Sequence, residues 1–177
     1  MPDLTPAELT LLGLLVEQPR HGYELEAVIA ARGMRNWTEI GFSSIYFLLD
    51  KLHNRGMIAE VEQEAPRRGK ARRVFEATAE GTRVCAEAAE AAIAELRPIF
   101  PPVLVGLANE PVIPAARLQV ALAARATALR EKLSELREAS DAQRAAPGFV
   151  RAIFDYAIGQ LVAEQQWLSE YQEATST

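Results

Sequence analysis

Large apolar residues recur at helical spacing through most of the chain, and the breaks between the runs fall at proline and glycine. Thr5-Pro6-Ala7-Glu8 opens the first run with a capping residue, a proline suited to the first helical position, and a glutamate placed to reach back as a capping-box partner. Leu9, Leu12 and Val16 share one face and Leu11, Leu14 and Leu15 widen it, which predicts a helix over residues 6–17 packed on more than one side. Pro19 stops it. After a turn at Arg20-His21-Gly22, a short amphipathic helix is expected to about Ala31, with Leu25, Val28 and Ile29 inward and Gly33 as its C-terminal cap. Ser43 is a suitable cap for a third helix that ends near Arg55 and is closed by Gly56. Ile45, Leu48, Leu49 and Leu52 form its buried stripe, so Ser44, Phe47, Lys51 and Asn54 lie on the opposite face.

Residues 57–64 and 72–77 read as two short strands joined across Pro66-Arg67-Arg68-Gly69-Lys70, whose proline and glycine mark a turn. Thr78 caps an alanine-rich helix to about Leu96, which Pro98, Pro101 and Pro102 end. Beyond Pro111 and Pro114 a long helix to about Ala139 carries Leu122, Leu129 and Leu136 seven apart, with Ala126 and Leu133 between them. A last helix over residues 148–173 repeats the device with Phe154, Leu161 and Leu168. Two such helices predict an antiparallel hairpin that embraces a second copy through Leu122, Leu129, Leu133, Leu136, Phe154, Leu161 and Leu168, with a purely intrachain bundle as the alternative. The fold class is therefore mainly α. Three helices followed by a hairpin and a further helix is the order of a winged helix-turn-helix module over residues 1–81. A linking helix and proline-rich connection follow over 82–110, then a helical dimerisation domain over 111–177.

Composition narrows the chemistry. With 177 residues, 49% hydrophobic and 24% charged, the chain has the make-up of a folded globular protein. Its single cysteine, Cys85, and its two histidines do not stand at metal-ligand spacing, so neither a metal nor another cofactor is expected. The longest apolar or glycine run, Leu11 to Val16, is too short for a membrane span, and the N-terminus lacks a signal peptide's pattern, so a cytoplasmic protein is the expectation. His21 has no nucleophile or carboxylate arrangement around it in sequence and reads as a turn residue, so no catalytic group is assigned. Trp37 and Trp167 read as packing residues, as does Cys85.

A net charge of −5 argues against a nucleic-acid binder, but the sum hides one stretch. Residues 65–74 hold five cations, Arg67, Arg68, Lys70, Arg72 and Arg73, and no acid. They fall at the wing, where cations neutralise phosphates and fix register, while the third helix enters the major groove. Ser43, Ser44, Phe47 and Lys51 are then the candidates for contacts to bases and phosphates. A protein-interaction module on the same scaffold is the rival reading, and the all-basic wing argues against it. A small helical enzyme is disfavoured for want of a nucleophile or phosphate-binding constellation.

Four segments resemble the PadR-like family of transcriptional regulators. They are Leu11-Leu12-Gly13-Leu14-Leu15, His21-Gly22-Tyr23-Glu24-Leu25, Ser44-Ile45-Tyr46-Phe47-Leu48-Leu49 with Arg55-Gly56-Met57-Ile58, and Ala77-Thr78-Ala79-Glu80-Gly81. The resemblance covers about residues 7–83 and implies a homodimeric DNA-binding repressor on a palindromic operator, in some members released by phenolic or drug-like effectors. It also makes Tyr23 and Tyr46 candidates for phenolic hydrogen bonds to phosphate, against a role filling the core, which is the expectation for Tyr23. Phe47 stands where the family often has proline, and Asp50 where a basic residue is frequent, so operator sequence does not transfer.

Overall fold

The computed structural model describes residues 4–61, 73–96 and 98–175. The chain divides into two compact units, Met1–Arg97 and Pro98–Thr177. In the first, helix α1 (Pro6–Glu17) starts at the predicted cap: the Thr5 hydroxyl accepts from the Glu8 amide and the Glu8 carboxylate accepts from the Thr5 amide at 2.8 Å. Leu11, Leu12, Leu14 and Leu15 are all buried, so α1 is enclosed on several sides as its apolar width demands, although Val16 is exposed.

Helix α2 (Gly22–Ala31) and helix α3 (Phe42–Asn54) pack on α1 and on each other through Leu25, Ile29, Ile45, Leu49 and Leu52. Gly41, not Ser43, occupies the N-cap of α3, and no side chain caps that end. The hairpin strands are β2 (Ile58–Val61) and β3 (Val74–Ala77), paired antiparallel with Ile58 opposite Ala77 and Val61 opposite Val74. The predicted tip with Arg67, Arg68, Lys70 and Arg72 lies outside the described residues. Arg20 and His21, read as a turn, instead form a short strand β1 on the other edge of β3, giving the order β1-β3-β2. Two residues carry no alternation for a sequence pattern to register, whereas the extended backbone after Pro19 is enough to pair with Val74 and Phe75. Arg20, nearly buried, donates to the Leu14 carbonyl and to Glu17 at 3.1 Å, and Glu17 also takes two hydrogen bonds from Arg32, so the α1 and α2 ends are tied together.

Helix α4 (Ala79–Ala94) is capped by Thr78, as predicted. Its start is pressed against the turn before β2: a Cβ on Gly81 would stand 1.9 Å from the Met57 carbonyl oxygen, which itself accepts from the Thr78 amide at 3.0 Å.

In the second unit the prolines read as stops also start an element. Pro102 occupies the first turn of helix α5 (Pro102–Ala108), where its missing amide costs nothing. Helices α6 (Ala115–Ala142) and α7 (Gly148–Thr175) pack as an antiparallel hairpin, with Gln119 reaching Thr175 and Arg125 paired to Glu164. Leu122, Leu129 and Leu168 form its apolar centre, flanked by Leu161 and by Trp167 stacked on Tyr171. Leu133, Leu136 and Phe154 are buried too. Of the apolar residues assigned from the sequence to contact between two copies, all but the half-buried Leu161 are covered within one chain, because 28-residue helices in a hairpin satisfy a seven-residue repeat against each other first. Among the described residues no helix is long and apolar enough to cross a membrane.

The close approach at Gly81 gives a direct check. Gly81→Ala places a methyl against backbone that has no freedom to retreat, and is expected to destabilise the first unit by about 3 kcal/mol. Thermal unfolding measures this, and an unchanged melting temperature would contradict the contact.

Candidate nucleic-acid interface

Helix α3 is held by its buried side and by one ionic anchor. Glu8, with no exposed surface, lies 2.9 Å from the Lys51 ammonium and 3.2 Å from the Arg55 guanidinium, in addition to its bond to the Thr5 amide. Burial alone would push the Glu8 carboxyl upward, but the hydrogen bonds from the Thr5 amide and from Lys51 outweigh it and hold the group below the ordinary carboxylate range. One carboxylate therefore joins the start of α1 to the last two turns of α3. Lys51, a candidate for phosphate or guanine from the sequence, is engaged inward in this structure.

With that side fixed, the outer face of α3 presents Tyr46, Phe47 and Asp50. Phe47 is 69% exposed and Tyr46 is 51% exposed, so both leave much of an apolar ring in water. Ser44 is half-buried near the start of the helix, and the side chain of Ser43 lies outside the described residues. Tyr23, at the start of α2, is 63% exposed, so the expectation that its ring fills the core is corrected: at this position the first turn of α2 faces outward. The turn that sets it is built by His21, whose Nδ1 accepts from the Glu24 amide at 3.1 Å while Glu24 accepts from the His21 amide at 3.0 Å. This is a capping box with histidine in the place of serine or threonine.

The wing is fastened to the same face. Arg73, the described member of the basic run, donates to Asp50 on α3 at 3.0 Å and to Glu60 on β2 at 2.9 Å, and its guanidinium lies 4.9 Å from the Phe75 ring centre. The hydrogen bonds to Glu60 and then Asp50 raise its pKa further, so it stays charged. His21, Gly22, Tyr23, Tyr46, Asp50 and Arg73 surround an open cleft of about 410 Å³ between the start of α2, the outer face of α3 and β3. The structure thus brings Tyr23, Tyr46 and Arg73 together, with Phe47 on the adjoining surface of α3. The sequence reading missed the charge pairing. Glu8 was legible as a capping residue, but its link to Arg55, 47 positions away, has no local signature, and neither does the bridge from Arg73 to Asp50.

Three packed helices, a hairpin wing braced by a third strand, and an uncovered aromatic face on the third helix define a winged helix-turn-helix protein. Residues 11–87 match the model of the transcriptional regulator PadR-like family. Solved structures with the same fold include Bacillus subtilis PadR in complex with operator DNA (TM-score 0.76, 15% identity, 95% of this chain and 98% of that one). A PadR-like transcriptional regulator from Bacillus cereus gives a TM-score of 0.73 at 18% identity, covering 96% of this chain and 98% of that one. Bacillus subtilis PadR in complex with p-coumaric acid gives 0.74 at 15% identity, covering 96% and 98%. A comparison with curated proteins finds no match by sequence.

The ionic anchor predicts how the module responds to acid. Because the folded state holds Glu8 below the ordinary carboxylate range, the stability it contributes is full above that range and is lost as pH falls through and below it. Glu8→Gln should cost about 2 kcal/mol at neutral pH and flatten the acid limb of a stability-against-pH curve. Denaturant melts at neutral pH and at the acid end measure both; a variant with the wild-type acid limb would contradict the anchor.

Proposed function

We propose that this protein is a transcriptional regulator that represses by occupying a palindromic operator as a homodimer, with α3 of each copy in the major groove. The observation that carries the reading is the aromatic face of Tyr46, Phe47 and Tyr23, each more than half exposed, on the side of α3 that a recognition helix would turn to DNA. Phe47 suits a thymine methyl, and Ser43 and Ser44 suit base edges or phosphate near the helix start. No arginine stands in that half of α3, so apolar contact and DNA shape carry more of the selection than bidentate guanine recognition.

Charge assigns the remaining roles. With Lys51 turned toward Glu8 and Arg73 shared between two carboxylates, phosphate neutralisation falls mainly to Arg67, Arg68, Lys70 and Arg72 of the wing. In the homodimer, the buried leucines of α6 and α7 with Phe154 keep the hairpin rigid, and exposed apolar residues such as Phe149, Tyr156 and Val162 supply surface for the second copy. Two recognition helices then face half-sites about one helical turn apart. An aromatic effector belongs to the same reading: the fold is shared with Bacillus subtilis PadR, which is solved both with operator DNA and with p-coumaric acid.

The test is selection of genomic fragments by the purified full chain. Wild-type protein should retain a discrete set containing an inverted repeat, and Phe47→Ala should lose about tenfold in affinity for that set, on the order of one good apolar base contact per subunit. Retention of all fragments alike, or of none, would contradict the reading.

A further inference from the structure

Gly22 has a property that the helix it begins does not require. It is buried in the first turn of α2, and its φ lies outside the left-handed region, which among the described glycines holds only Gly33 and Gly56. An alanine would therefore suit the backbone and strengthen the helix. What forbids it is the neighbour across the cleft. A Cβ on Gly22 would stand 2.7 Å from Cε1 of Tyr46, 3.1 Å from Cζ and 3.3 Å from Cδ1, so the phenol ring of α3 lies close against bare α2 backbone. Half of Tyr46 faces solvent, so the core does not hold the ring. The seat at Gly22 does, and it fixes where the hydroxyl at the end of the ring points.

Resting on the DNA-binding reading above, we propose that Gly22 is a positioning residue for DNA contact: it seats the Tyr46 ring so that its hydroxyl donates to a backbone phosphate beside the exposed Tyr23. A methyl at position 22 would not break the module. It would swing an exposed ring out of its seat, which costs little in folding and removes the aim of one donor. Because the donor is neutral, losing it releases no additional counterion, so the salt dependence of binding should stay as it was while affinity falls.

The experiment uses the full chain and a labelled mixed-sequence duplex long enough for two half-sites, titrated at several salt concentrations. Tyr46→Phe keeps the ring over Gly22 and should bind about tenfold more weakly, as expected for loss of a hydrogen bond to a charged acceptor. Gly22→Ala should weaken binding to a similar degree, with the salt slope and cooperative melting retained. In the Tyr46→Ala background the seat is empty, so adding Gly22→Ala should leave affinity unchanged and hold or raise the melting temperature. Wild-type affinity for Tyr46→Phe would overturn the proposal whether or not Gly22→Ala folds, and so would a tenfold loss from Gly22→Ala that persists in the Tyr46→Ala background. Failure of the wild-type chain to bind the duplex at low salt would overturn the DNA-binding reading itself, which the other outcomes leave standing.

Discussion

A single buried carboxylate sets the geometry of the winged-helix unit. Glu8 begins α1, and its two oxygens are shared among the Thr5 amide, Lys51 and Arg55, so the start of the most enclosed helix is bound to the end of the helix with the exposed face. Removing such a charge from water is costly, and the cost is met only if all three partners stay in place. The apolar stripe of α3, Ile45, Leu49 and Leu52, packs it into the core shared with α1, through contacts that carry no direction of their own. The ionic anchor adds direction. With the inner side and the C-terminal end of α3 defined, its remaining side chains have a defined outward surface.

The surface that results is aromatic more than it is basic. Tyr46 and Phe47 on α3 and Tyr23 on α2 stand out of the core, while the described cations nearby are held by carboxylates: Lys51 by Glu8, and Arg73 by Asp50 and Glu60. The bridge from Arg73 to Asp50 has a geometric role of its own, because it joins the base of the wing to the middle of α3. Together with β1, which pairs with the far edge of β3, it leaves the hairpin braced on both sides. On the proposed DNA-facing surface, Asp50 would also be a negative group near phosphates, so the pair that orients the wing would restrain attraction to DNA of any sequence.

Much of this fold was legible in the order of residues, for physical reasons that vary by element. Thr5-Pro6 and Thr78 announce helix starts by local chemistry, and the stripes of α1, α3, α6 and α7 follow from periodicity alone. What failed to show were features made by partners distant in sequence. β1 exists only because β3 lies beside it, and two residues have no period. The leucine repeat of α6 reads the same whether its partner is α7 or a second copy, and the structure buries it within one chain. α5 was hidden because its prolines, taken as stops, stand at a helix start. On the candidate interface, Phe47 was visible as a residue opposite the apolar stripe, and Tyr46 through the resemblance of its segment to the PadR-like family. Gly22, Asp50 and Glu8 gain their meaning only from the side chains brought against them.

One surface, made by the start of α2, the outer face of α3 and the wing, is the proposed meeting place with DNA. Amide hydrogen exchange of the full chain with and without a bound duplex tests it most directly, since backbone protection is read segment by segment. The account predicts added protection over residues 22–24 and 42–50 and across β2 and β3, with little change inside the α6 and α7 hairpin. Protection confined to α6 and α7, with the α3 face exchanging as in the free protein, would contradict it.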